Sequence, residues 1–151
     1  MRAMTTEPLS GLPDPDSQPE FYDDTPTKRV VAWLIDTVLV FGLWIVLTVV
    51  TLGIAVWLLP FFAVVDFFYR MVTIARGSAT WGMRVMSIEL RDRRGEPLDA
   101  GQAFLHTAGY MASIVTFPVQ LVSMAMMVMT PRRQGLTDYL MGTAAVNRAA
   151  F

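Results

Sequence analysis

The chain has 151 residues, 54% of them hydrophobic and 17% charged, with a mean hydropathy of +0.44 and a formal net charge of −1. That length holds one domain and leaves no room for a membrane anchor plus a full soluble catalytic domain, and the composition is that of a membrane protein. Cysteine is absent, which excludes disulfides, thiolate catalysis and cysteine metal sites.

Residues 1–24 are polar, proline-rich and acidic, with Glu7, Asp14, Asp16, Glu20, Asp23 and Asp24. They lack the basic start and apolar core of a secretory signal and read as a disordered acidic cytoplasmic tail. Residues 25–148 form the membrane domain. Thr25-Pro26 is a helix start, with Thr25 as N-cap and proline at the first helical position. A first membrane helix is expected over residues 26–51, its apolar span opening at Val30. Lys28 and Arg29 stand at its entrance and mark the cytoplasmic side of a cell (inner) membrane. The uncharged stretch around Leu52 and Gly53 suits an outer turn. A second helix runs to about Ala75 and begins either at Pro60 or near Ile54 with Pro60 as a kink. Asp66 and Arg70 lie four residues apart near its inner end, where they can pair along one face.

Residues 76–99 are rich in arginine, which places them inside. Met86, Ile88 and Leu90 alternate with Ser87, Glu89 and Arg91, the period of a half-buried strand. Asp92 to Gly95 supplies a turn and Glu96-Pro97-Leu98 a short return arm, so a β-hairpin is expected here, lying against the helices or the membrane surface. Asp99 and Gln102 have capping-box spacing. Residues 100–131 then carry no formal charge apart from titratable His106, and Pro118 interrupts them near the middle. One straight span would put Arg132, Arg133 and Arg148 outside; a bent, re-entrant path returns them to the side of Arg29 and is the path expected. The fold class is therefore all-α integral membrane: two transmembrane helices, a Pro-interrupted third membrane segment, and a short cytoplasmic β-hairpin between helices two and three.

Asp36 sits inside the first apolar run, and no further formal charge follows until Asp66. A carboxylate at membrane depth is costly unless paired or wetted, so it marks a site. Arg29 shares its helix face, with Asp36 roughly 10 Å deeper along the axis.

Three short patterns recur to a known family. Arg29, Ala32 and Asp36 fit R-x-x-A-x-x-x-D; Thr80, Gly82 and Arg84 fit T-x-G-x-R ahead of the strand and the Asp92–Gly95 turn; Asp138, Gly142 and Thr143 fit D-x-x-x-G-T. In this order, over residues 26–147, they resemble the RDD family of membrane proteins, named for one arginine and two aspartates. Two positions depart from many members: Thr137 stands where histidine precedes the last aspartate, and His106 where an arginine opens the third apolar segment. The resemblance implies a membrane protein of largely unassigned molecular function, with transport of an unidentified ligand suggested and some members linked to sodium/proton exchange.

Arg29, Asp36 and Asp138 thus have two readings: a polar ion or solute site, or a structural clamp between helices. Asp66, Arg70, Arg84 and His106 are secondary candidates. His106 alone lacks the partners of a zinc site, and the methionines at 124, 126, 127 and 129 read as a packing surface. No phosphate loop, nucleophile–base motif or metalloprotease motif is present, so no catalytic residue, metal or cofactor is expected, and no enzyme. The expected partners are the lipid bilayer and, since three apolar segments enclose a pathway poorly, a homo-oligomer or larger membrane complex; no nucleic acid is expected, and the ligand is unknown. The runner-up to transport or exchange is a non-transporting accessory or assembly subunit.

Overall fold

The computed structural model describes residues 10–54 and 59–148. Helix α1, Thr25–Val50, has 26 residues. At the α-helical rise it is roughly 39 Å long, enough to cross a hydrocarbon core of about 30 Å. Its exposed side chains are almost all apolar, including Val38, Phe41, Val46, Val49 and Val50. Its buried residues are Thr25, Ala32, Asp36 and Val40, a narrow stripe on one face. Thr25 is not the N-cap. It lies inside the helix and donates its hydroxyl to the Tyr22 carbonyl, while Asp24 precedes it in the left-handed region at φ 56° without a side-chain cap.

Helix α2, Leu59–Gly77, starts next to Pro60, and the alternative start near Ile54 abuts residues outside the described ones. It packs on α1 and α4. After it, Thr80 caps the short helix α3, Trp81–Val85, by accepting from the Met83 N–H. Helix α3 lies directly on α1. Helices α4, Ala100–Val115, and α5, Phe117–Met129, form one apolar pair bent by 117° at Thr116, with Pro118 in the first turn of α5. Proline suits a first turn because its missing N–H has no partner there anyway, so the break falls just before it. The capping box at Asp99 and Gln102 is present in both directions. Among the described residues α1 alone is a single helix long and apolar enough to cross a membrane; α4 and α5 pass only together, as a bent pair.

The expected local hairpin is replaced by a long-range one. Strand β1, Ile88–Arg91, pairs antiparallel with β2, Ala144–Asn147, in the register Ile88↔Asn147 to Arg91↔Ala144. The return arm after the Asp92–Gly95 turn makes a single bridge, Arg91↔Pro97. The reason is burial. Every residue of β2 is buried, Ala144 to Val146 fully so, and Pro97 cannot donate to a ladder that Ala145 and Val146 can complete. The pairing brings the C-terminal segment to the Arg29 end of α1, where Lys28 Nζ donates to Asn147 Oδ1 at 2.6 Å. The C-terminal segment therefore lies at the Arg29 end of the protein, as expected.

The acidic N-terminal segment also differs from expectation. Residues 1–9 lie outside the described ones, but Leu12, Phe21 and Tyr22 are buried and cluster with Ala144 and Val146 of β2. Gly11 donates its N–H to the Arg93 carbonyl, and a Cβ there would lie 2.1 Å from the Arg94 carbonyl oxygen. Tyr22 donates to the Pro13 carbonyl at 2.8 Å; burial pushes its phenol up to about 12, with Arg132 partly offsetting that. Acidic composition hid three apolar anchors.

The α1–α3 contact turns on Gly82. A Cβ at this position would stand 2.1 Å from the Ala32 carbonyl oxygen and 2.8 Å from Asp36 Oδ1, whereas one at Gly42 meets nothing within 4 Å. Gly82→Ala is expected to lower the melting temperature of the detergent-solubilised protein sharply, by the 1–3 kcal/mol that overpacking typically costs or more. Gly42→Ala should leave it equal or raise it slightly, because alanine is the better helix former. Equal melting curves for the two variants would refute the close-contact role of Gly82.

Candidate functional site

The charged residues gather in two clusters. The first is built around Asp36, buried on α1. Its Oδ1 accepts from the Tyr69 hydroxyl at 2.7 Å and from the Gly82 N–H at 2.8 Å; its Oδ2 accepts from the Thr80 hydroxyl at 2.6 Å and lies 3.6 Å from Arg70 Nη1. Thr80 and Gly82 both come from the T-x-G-x-R segment. The turn into α3 aims a side-chain hydroxyl and a main-chain N–H at one carboxylate, and glycine lets the backbone come close enough to do it. Arg70 is held in turn by Asp66, whose two oxygens accept from its Nε at 3.0 and 3.1 Å. The other side of the guanidinium rests on the Tyr110 ring, 4.5 Å from its centroid. Tyr110 accepts from Trp33 Nε1 at 2.7 Å, which ties α4 back to α1.

The second cluster is built around Asp138, fully buried on α6, Leu136–Met141. Its Oδ2 accepts from Arg29 Nη1 and from the Gly135 N–H at 3.2 Å; its Oδ1 lies 2.8 Å from His106 Nε2 and accepts from the Thr143 hydroxyl at 3.0 Å. Gly142 closes α6 in the left-handed conformation at φ 71°, and that turn swings Thr143 back over the carboxylate. Burial pushes the Asp138 carboxyl up, but Arg29 and His106 outweigh it and hold it below the ordinary carboxylate range.

The Arg29/Asp36/Asp138 constellation therefore separates. Arg29 pairs with Asp138, and Asp36 with Arg70. His106 belongs to the Asp138 cluster, and Asp66 and Arg70 to the Asp36 cluster. Arg84 joins neither: its guanidinium lies over the Trp81 ring, 4.8 Å from the centroid. Sequence reasoning missed Tyr69, Tyr110 and Thr107, which lie in apolar helices with nothing local to single them out. Among the described residues no group of three or more histidine and carboxylate side chains is placed to hold a metal ion.

The RDD family model matches residues 24–142. The chain belongs to the RDD family. No curated protein and no solved structure matches it. Family membership and the long apolar α1 make it a membrane protein. In this RDD protein the three short motifs build both clusters: the first gives Arg29 to one and Asp36 to the other, the second sets Thr80 and Gly82 against Asp36, and the third supplies Asp138 and the Thr143 hydroxyl that bonds it. His106, where many members carry arginine, bonds Asp138 directly, and Thr137 packs against Gly109.

Both clusters border one cavity of about 440 Å³ between α1, α2, α4, α5 and the start of α6. Arg29, Asp36, Arg70, His106 and Asp138 line its polar side; Ile114, Phe117, Met124 and Met127 line its apolar side.

Removing the carboxylate charge of Asp138 leaves the partly buried Arg29 without its counter-ion, a change whose cost approaches the roughly 3–5 kcal/mol of a broken buried pair. Asp138→Asn should lower the melting temperature accordingly at pH 7. The pH dependence has a definite sign. A carboxyl held below its ordinary value of 3.8 contributes stability that is complete above that value and is lost as pH falls through the depressed folded value. Melting temperatures of the native protein and Asp138→Asn should therefore converge as pH drops below about 3.8. A gap that stays constant into acid would show that the carboxylate charge is not what Asp138 contributes.

Proposed function

We propose that this membrane protein binds a small solute in the cavity between its two charge clusters, for transport or exchange, with the Arg/Asp pairs acting as clamps that shape the cavity. The observation that carries this reading is that both carboxylates are already engaged by protein donors. A carboxylate offers about four acceptor positions. Asp138 has four partners, Arg29, Gly135, His106 and Thr143, and Asp36 accepts three hydrogen bonds, from Tyr69, Gly82 and Thr80, with the Arg70 guanidinium 3.6 Å from its Oδ2. A cation that bound either carboxylate would have to displace one of them. The cavity is lined by residues of one chain and is partly open between α1 and α5.

In this reading the N-terminus is cytoplasmic and the membrane is the cell (inner) membrane. Lys28, Arg91, Arg133 and Arg148 support that orientation, since they meet around the two-stranded sheet and the ends of α1 and α5. Helix α2 is the second span, shortened by Asp66 and Arg70, and α4–α5 is a re-entrant pair. The accessory-subunit reading rests on the same clamps and differs in predicting no bound solute.

Two measurements test the proposal. Solvent extraction and mass spectrometry of the purified protein should recover a small molecule from the native protein and much less from Met124→Trp, a variant that fills the cavity and should melt near the native temperature. Equal recovery from both would favour the accessory reading. In liposomes loaded with a sodium- or pH-sensitive dye, a folded Asp36→Asn protein that has lost a flux present in the native protein would restore Asp36 as an ion ligand; the clamp reading expects the variant to be unstable instead.

A further inference from the structure

The cavity holds two donors that the clamps do not use. Arg70 Nη2 and Thr107 Oγ1 are both buried and have no hydrogen-bond partner among the described residues, and both side chains line the same cavity. Arg70 is 7% exposed and Thr107 1%. A buried donor left without an acceptor costs roughly 1–3 kcal/mol, and two in one cavity wall call for a shared explanation.

The chemistry of a fitting ligand follows by elimination. The carboxylates are already engaged by their clamps, and of the two unpartnered groups Arg70 Nη2 can only donate, while the Thr107 hydroxyl can donate or accept. Together they match an acceptor oxygen; an organic ammonium or a metal ion would find only the Thr107 hydroxyl and would face the Arg70 guanidinium. A full anion fits poorly as well, because both guanidiniums that line the cavity are already paired, Arg29 with Asp138 and Arg70 with Asp36 and Asp66. The opposite wall is apolar, with Ile114, Phe117 and Met124. Resting on the cavity reading above, we propose that the ligand is an uncharged, largely apolar molecule bearing a carbonyl or ester oxygen, which accepts from Arg70 Nη2 and Thr107 Oγ1 while its apolar body lies along α5. A membrane quinone and the acyl ester of a lipid both supply that chemistry.

The test uses four probes of similar apolar length: a decyl-substituted benzoquinone, dioctanoylglycerol, decyl phosphate and decylammonium. Each is titrated into the purified protein in nanodiscs, and affinity is read from the rise in melting temperature, which mass action links to occupancy. One or both carbonyl probes should bind more tightly than the phosphate and the ammonium. The benzoquinone binding alone would point to a quinone, and dioctanoylglycerol alone to a lipid ester. Thr107→Val keeps the shape of the side chain, removes an unpaired hydroxyl outside the clamps and should leave the unliganded melting temperature equal or higher. It should weaken the carbonyl probe roughly fivefold, the value of one neutral hydrogen bond. Tighter binding of the phosphate or the ammonium would overturn the inference, as would a failure of both carbonyl probes to bind. An unchanged affinity in Thr107→Val would overturn it too. Recovery of a polar or charged solute from the native protein but not from Met124→Trp would sink this ligand class and leave cavity binding standing; unchanged probe binding in Met124→Trp would sink the cavity itself.

Discussion

The buried carboxylates of Asp36 and Asp138 must be neutralised, and the fold is arranged around that requirement. An ionised aspartate in an apolar setting is tolerated only where opposite charge and hydrogen bonds replace the water it has lost. Asp36 draws donors from α1's neighbours α2 and α3, and Asp138 draws them from α1, α4 and the turn after α6. Each carboxylate thereby fixes elements that sequence distance keeps apart. Apolar packing in a bilayer cannot supply this specificity, because lipid tails are as apolar as the side chains they would replace.

The glycines and threonines of the family motifs belong to the same requirement. Gly82 lets main chain approach Asp36, and Gly142 takes the left-handed turn that returns Thr143 to Asp138. A hydroxyl and an amide N–H neutralise a carboxylate without adding a formal charge. The arginine in each cluster then needs to supply one cation, and the pair stays near electroneutral within the membrane domain. Arg70 is braced by Asp66 behind it, so its position is set from two sides.

Much of this was legible in the sequence. The apolar run around Asp36, the capping box at Asp99, the strand at Ile88 and the break at Pro118 follow from period, spacing and backbone chemistry, and the structure has them all. What escaped were the partnerships. Arg29 and Asp36 share a helix face and invite pairing, yet the cation for Asp36 comes from α2 and the anion for Arg29 from α6. Helical spacing shows which residues could meet, not which long-range partner outcompetes the local one. The hairpin failed for the same reason: the nearby return arm holds Pro97, and the better strand lies at Ala144. In residues 10–24 the acidic average concealed Leu12, Phe21 and Tyr22, whose burial depends on a sheet that forms elsewhere.

The pairing of β1 with β2 also bears on the order of assembly. Helix α1 can enter the bilayer as soon as it is made, but β1 has no partner strand until synthesis reaches Ala144–Asn147. Asp138 meets Arg29 only at about the same stage. From the completion of β1 until the last helix and strand described are made, the chain therefore carries an unpaired strand edge and an Arg29 without its counter-ion, and both defects are repaired together. Closure of the sheet and closure of the cavity are one event, and an incomplete chain exposes the very features by which a membrane quality-control protease can recognise it.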